Sequence, residues 1–443
     1  MLRKSKPLIA VALTLMLSLT GISGTVAFAN EMNSEGALVT QNEQYPVQAA
    51  INKTLRLPRG TTTPDVEFNF LAKRVSVDGI SVIDIDDEAE LEAKIPSLKN
   101  LSVSYTTSDS ELHDQTTNTI SIIKETGDIF AGVTFPHAGI YVYEISEIED
   151  TNSAIDNNAP HEVLTYSKAM YTLTVYVANT ADGSGTYVKG LGTRVMLDDD
   201  GDAASGNKVD PTPGGNGVEY NFSQMVFVND FVRTNGAVDQ DNPDPVNEST
   251  LFVENAVTGD FASREQYFEF VIDIMVPSIV KDVPEYYRAY IVENGVVINP
   301  VNNADASLIG SDAGGSYIKV YPDRSTEFSL KHGQKLVFVN TPVGTGYVVE
   351  EKAAMNYLPS YIITTNSIAG ANVTGTLSTG LTTDTEFVAE LLNAANFTNN
   401  RESVTPTGLN LHDLPFIGLI ALAAGSLILF VVVKSRRRTF VTE

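Results

Sequence analysis

An all-β chain built from two tandem sandwich domains is what this sequence predicts, and three observations carry that prediction. Short runs rich in Val, Ile, Tyr, Phe and Thr alternate in polarity and are parted by Gly, Asn, Asp and Pro, as in Val66–Leu71, Ile140–Ile145, Tyr171–Val177 and Met225–Val228. Helical periodicity is scarce; the best candidate is the acidic stretch from Asp87 to Lys94, read as one surface turn. The same order of parts also occurs twice. Spaced phenylalanines (Phe68 and Phe70; Phe268 and Phe270) precede a Gly-led strand closing on glutamate (Gly139 to Glu147; Gly346 to Glu351), and each set ends in Phe-x-Asn (Phe227 to Asn229; Phe397 to Asn399). Many short strands with turns between them favour sandwiches over a parallel α/β sheet.

The boundaries follow from composition. Residues 1–29 read as a signal peptide: Arg3, Lys4 and Lys6, an apolar stretch from Leu8 to Leu19, then Ala27-Phe28-Ala29 as a small-x-small cleavage site. Residues 30–44 are polar and expected to be flexible. The first sandwich is assigned to 45–233, a linker poor in apolar residues to 234–249, the second sandwich to 250–401, and a tail to 402–443. Another apolar-poor stretch, Asp198 to Gly217, reads as a long hairpin loop inside the first sandwich.

The 443 residues carry 29 Lys+Arg against 55 Asp+Glu, a formal charge of −26, which argues against nucleic-acid binding and against docking on anionic lipid. Cysteine and tryptophan are both absent, while Tyr (18) and Phe (19) are plentiful. An exported protein without cysteine needs no staple or has another covalent device. Neither a metal nor a cofactor is expected. The five histidines (His113, His137, His161, His332, His412) lack ligand spacing, and Asp198-Asp199-Asp200-Gly201-Asp202 has Ala203 and Val209 where an EF-hand loop needs glycine and glutamate. That acidic run reads as a solvated loop. No nucleophile motif frames any serine, so turnover catalysis is not expected.

The tail has three parts: Thr405-Pro406-Thr407-Gly408, an apolar run from Leu414 to Val433 long enough to cross a bilayer, and the basic Lys434-Ser435-Arg436-Arg437-Arg438 that holds the end inside. Together these resemble the sortase sorting signal of Gram-positive surface proteins. The resemblance implies cleavage between Thr407 and Gly408 and transfer of the threonine carboxyl to an amine. The motif departs from the usual leucine-proline-x-threonine-glycine at its first positions. A competing motif, Leu414-Pro415-Phe416-Ile417-Gly418, has Ile417 in place of the threonine and no spacer before the span.

The order of parts in the first sandwich, with Ile51-Asn52-Lys53-Thr54-Leu55 on its opening strand, is similar to the pilin isopeptide-linkage domain of Gram-positive pilus subunits, an Ig-like, CnaB-type fold. In that family a lysine on the first strand bonds to an asparagine on the last, with a buried acid as catalyst. The resemblance implies Lys53 as nucleophile, Asn229 as the amide attacked and Glu147 as the acid, donating to the Asn229 carbonyl. The chemistry is sound on its own terms: burial lowers a lysine pKa and raises a carboxyl's, and folding supplies proximity. The second sandwich has the acid (Glu351) and the asparagine (Asn399), but Asn255 stands where the amine belongs, so no such bond is expected there. Lys281 and Lys331 have nothing in their contexts to recommend them as substitutes.

The expected role is therefore a sortase-processed pilus subunit on the cell surface, joined to other subunits or to peptidoglycan, touching the membrane only through its C-terminal helix before sorting. Lys208 is the candidate acceptor lysine for polymerisation. The alternative is a monomeric wall-anchored adhesin whose loops at 150–165 and 198–217 contact a host or matrix ligand.

Overall fold

The computed structural model describes residues 31–32, 38–39, 43–44, 46–114, 117–149, 155, 162–204, 206–213, 225–234, 236, 241–402 and 414–438. The cleavage-site candidates Ala27-Phe28-Ala29 and Thr407-Gly408 lie outside them.

The strands form two pairs of sheets, one pair before Arg233 and one after Leu251. In the first pair, one sheet runs Thr186–Leu197, Met170–Asn179, Gly139–Glu147, Val66–Val77, each antiparallel to the next. The facing sheet runs Glu162–Thr165, Met225–Arg233, Ile51–Pro58, Thr119–Glu125, Leu112–Asp114. Its centre is unusual because the opening strand, Ile51–Pro58, lies parallel to the closing strand, Met225–Arg233. Parallel neighbours cannot be joined by a hairpin, so nearly the whole first unit is the crossover between them.

The second pair repeats this plan. Leu251–Thr258 is parallel to Asn393–Asn400, flanked by Gln334–Phe338 and Leu358–Thr365, and faces the sheet containing Phe268–Met275 and Gly346–Glu351. Each pair encloses its own apolar cluster, with Phe68, Tyr143 and Phe227 in one and Phe270, Ile291 and Phe397 in the other. The all-β sandwich prediction holds, and the expected short helix is Glu88–Lys94, N-capped by Asp87, whose side chain accepts from the Glu90 N–H. The C-terminal helix, Leu414–Arg438, includes a stretch from Pro415 to Ser435 long and apolar enough to cross a membrane.

Strand alternation explains both cores. Side chains two apart share a face, so Ile51, Leu55 and Leu57 point inward from one strand and Tyr141, Tyr143 and Ile145 from another. The same parity forces Lys53 and Glu147 inward, and Asn229 with Met225, Phe227 and Phe231. The stretch expected to be flexible contributes a short sheet-edge addition: Leu38–Val39 pairs with Gly190 and Leu191 and with Glu31–Met32. In the linker, Pro243 and Pro245 are buried.

The two units meet at the ends of the first unit's parallel strands. Glu390 accepts from the Thr62 N–H at 2.7 Å and the Thr62 hydroxyl at 2.8 Å, and it pairs with Arg233. Gly344 turns against Pro58 with φ +81°, and its carbonyl accepts from the Asn118 amide at 3.2 Å. A Cβ at Gly344 would lie 2.5 Å from the Pro58 Cβ. Gly344→Ala therefore carries a left-handed backbone penalty of about 1–2 kcal/mol on top of a displaced contact. The expected result is several-fold faster protease cleavage within residues 234–249, with little change in either core; unchanged cleavage would exclude this turn from holding the two units together.

Candidate functional site: a buried amine, carboxyl and carboxamide

The parallel register places the first strand's amine beside the last strand's amide. Lys53 is opposite Phe227, and Asn229 is opposite Leu55, a stagger of two residues that keeps both side chains on the inner face. Glu147 comes from the opposing sheet, where it pairs with Phe70. All three meet between the sheets. The Lys53 Nζ donates to Glu147 Oε2 at 2.8 Å, and the Asn229 Nδ2 donates to Glu147 Oε1 at 2.8 Å. The side chains of Lys53 and Glu147 have no exposure to solvent.

The surroundings are aromatic. The Phe68 ring lies 4.7 Å from Nζ, Phe70 packs on Phe227 with centroids 5.0 Å apart, and the Tyr105 hydroxyl donates to the Lys53 carbonyl at 2.6 Å. Burial is the largest influence on both titrating groups. It lowers the Lys53 pKa to about 8, against the opposing charge and hydrogen bond of Glu147. It raises that of Glu147, against Lys53, the Asn229 amide and the Ser167 N–H. Both shifts favour moving the proton from Nζ to the carboxylate, which leaves a neutral amine and a neutral acid. One carboxyl that touches both nitrogens can take a proton from an attacking amine and pass it to a departing one.

One expectation changes. Glu147 bonds the Asn229 nitrogen, not its carbonyl oxygen. The oxygen accepts instead from the backbone N–H of Ser167 at 2.7 Å, a buried donor that needs an acceptor. Nothing in the sequence around Ser167 marks it for this contact. The acidic run is likewise not simply a solvated loop. Asp198 Oδ1 accepts from the N–H groups of Asp200 and Asp202, and Gly201 has φ +86°, so the chain folds back and turns Asp199 inward. Asp199 Oδ1 accepts from the Val228 N–H at 2.9 Å and from the Ser167 hydroxyl.

The second unit reproduces the geometry residue by residue. Asn255 is opposite Phe397, Asn399 is opposite Val257, and Glu351 pairs with Phe270. The Asn399 Nδ2 donates to Glu351 Oε1 and to Asn255 Oδ1, and Asn255 donates to the Leu330 carbonyl at 3.0 Å. Without an amine, Glu351 Oε2 and Asn399 Oδ1 are buried acceptors with no donor. Burial raises the Glu351 pKa to about 7, opposed by Asn399. Lys281 and Lys331 make surface pairs with Asp200 and with Glu265 and Glu293. Lys208 is exposed on a short strand, Lys208–Val209, paired with Thr193 and Arg194, where a long hairpin loop was expected. Among the described residues no group of three or more His, Cys, Asp or Glu is arranged to hold a metal.

Two β-sandwiches, the first enclosing a sealed amine–acid–amide set between its terminal strands, are what the fold and the site define. The chain is similar to several known proteins. Residues 249–401 match a family model described as Domain of unknown function (DUF7601). The chain is 24% identical over 192 residues to a pilin of Streptococcus pyogenes serotype M1, covering 43% of this chain and 50% of that relative, so it spans about half of the relative's length. Two solved structures of major pilins from Streptococcus pyogenes align at 18% and 16% identity, covering 80% and 81% of this chain and 99% and 100% of theirs, with TM-scores of 0.29 and 0.28.

The second unit's site has a testable pH signature. The folded pKa of Glu351, about 7, lies above the unfolded value of 4.5. Its stabilising contribution is therefore complete below pH 4.5 and is lost as pH rises through 7, by roughly 3 kcal/mol. Denaturant titrations of the second unit should show this loss, and Glu351→Gln should remove that component. An identical pH dependence in the variant would mean that Glu351 is not the titrating group.

Proposed function

We propose that this chain is a structural subunit of a Gram-positive surface pilus. It is exported, cut after Thr407 by a sortase, and joined through that carboxyl to a further subunit or to the cell wall. The single observation that supports this reading best is the sealed Lys53, Glu147 and Asn229 set linking the first and last strands of one sandwich. In the proposed reaction, Nζ gives a proton to Glu147 and adds to the Asn229 amide carbon. The carbon–Nδ2 bond then breaks, ammonia leaves with the proton that Glu147 returns, and Glu147 takes the remaining extra proton from the new amide nitrogen, which ends with a single N–H. The product is a Lys53–Asn229 isopeptide bond, and no cofactor or second enzyme takes part.

Such a bond suits a protein under tension. Force entering before Ile51 and leaving after Arg233 would shear the parallel pair of strands, whose hydrogen bonds would be loaded together. A covalent link two residues out of register on that pair carries the load directly and shields the crossover of the sandwich. It also closes the chain from 53 to 229, a constraint worth about 5 kcal/mol by the loop-entropy argument. Unlike a disulfide it is not reducible, which is consistent with a chain that has no cysteine. The second sandwich, with Asn255 in place of the amine, forms no such bond.

For polymerisation we assign Lys208 as the acceptor, since its amine is exposed at a sheet edge. Two measurements test the reading. The intact mass of the mature exterior is expected to fall short of the sequence mass by one ammonia, and Lys53→Ala or Glu147→Ala should restore the full mass and lower the first sandwich's stability by several kcal/mol. A deficit of two ammonias would mean that the second sandwich is also cross-linked. Blots of wall extracts are expected to show a high-mass ladder that Lys208→Ala abolishes. A single band from the unmodified chain would instead indicate a wall-anchored monomer.

A further inference from the structure

We propose that Ser167 and Asp199 complete the bond-forming centre: the Ser167 backbone N–H stabilises the oxygen of Asn229 as the amine adds, and Asp199 is the positioning residue that aims it. This rests on the isopeptide reading above and adds to it a group that neither the lysine, the acid nor the asparagine can supply. When Nζ bonds to the amide carbon, the carbonyl electron pair moves onto Oδ1, which takes a negative charge inside a dry core. Both oxygens of Glu147 are occupied by nitrogens. The Ser167 N–H, 2.7 Å from that oxygen, is the donor in place. A fixed backbone donor directed at a developing oxyanion needs no reorganisation as the charge appears. When the pair returns to carbon, the bond to Nδ2 breaks and ammonia departs.

The placement of this donor depends on the acidic turn. Ser167 sits between two strands, Glu162–Thr165 and Met170–Asn179, in a connection with no regular pairing of its own. Three contacts fix it: its hydroxyl donates to Asp199 Oδ1, that hydroxyl accepts from the Ala169 N–H at 3.1 Å, and the Lys168 N–H donates to the Asp199 carbonyl at 3.0 Å. The same Asp199 oxygen accepts from the N–H of Val228, the residue before Asn229. One carboxylate therefore grips both the segment carrying the donor and the strand carrying the acceptor.

The test follows bond formation during cell-free synthesis of the full chain, with the ammonia deficit read by intact mass at timed intervals. Asp199→Ala and Ser167→Ala are each expected to slow the deficit by roughly tenfold or more, and Asp199→Asn, which keeps an acceptor oxygen, should recover most of that loss. The control places the same changes in a Lys53→Ala chain, where no bond forms. There they should leave the melting temperature of the first sandwich close to that of the parent. Bond formation at the unmodified rate in both alanine variants overturns the proposal. So does a loss of rate matched by equal unfolding in the Lys53→Ala chain, since that would make the contacts merely structural. If the unmodified chain shows no deficit at all, the isopeptide reading itself fails and this inference falls with it; slowed variants can be scored only against a reacting parent.

Discussion

The parallel pairing of an opening strand with a closing strand, staggered by two residues, is the constraint on which the rest of the first sandwich depends. It brings an amine and a carboxamide from opposite ends of the unit onto one inner face, and the facing sheet lowers a carboxyl between them. A lone lysine in such a place would be very costly to bury, and so would a lone glutamate. Buried together they form a set that is neutral overall, in which each hydrogen-bonding oxygen of the acid meets a nitrogen. The aromatic wall of Phe68, Phe70 and Phe227 keeps water out. Proximity, desolvation and proton transfer thus come from one arrangement of strands.

The second sandwich is a natural comparison, since its register matches position for position while Asn255 replaces the amine. The same inward polar positions are kept, and the fold accommodates them without a cation. The consequence is visible in two stranded acceptors, Glu351 Oε2 and Asn399 Oδ1, and in a carboxyl driven toward its neutral form. An acid held between apolar sheets with an amide neighbour and no amine can only keep its proton or suffer its charge. The units are therefore alike in shape and unlike in what holds them. Their junction at Glu390 and Gly344 connects the turn after the lysine strand and the end of the asparagine strand to the second unit. Under the proposed function, load leaving the first unit's parallel pair of strands would pass into the next sandwich at that point.

Much of this was legible in the residues. In each of the three strands of the first site, a polar side chain interrupts an otherwise apolar inward parity: Lys53 between Ile51 and Leu55, Glu147 after Ile145, Asn229 between Phe227 and Phe231. The repeated Phe-x-Asn endings anticipated that the two halves share one plan. Less was legible in the loops. Ser167 acts through its backbone, which every residue possesses, so no side-chain pattern could mark it. Asp199 lay in a run whose charge pointed to solvent, and only the fold of the turn around Gly201 directs that one carboxylate inward.

By itself the sequence determined the all-β class, the two sandwiches and the apolar C-terminal span; the choice of Lys53, Glu147 and Asn229 came from the resemblance to a pilin domain. The first three are consequences of periodicity, length and residue type, which act locally along the chain. Only the tertiary structure decided the parallel register, the choice of the Asn229 nitrogen as the partner of Glu147, and the contact of Ser167 with the amide oxygen. Each depends on atoms from segments far apart in the chain, and their relative placement is set by packing two sheets face to face.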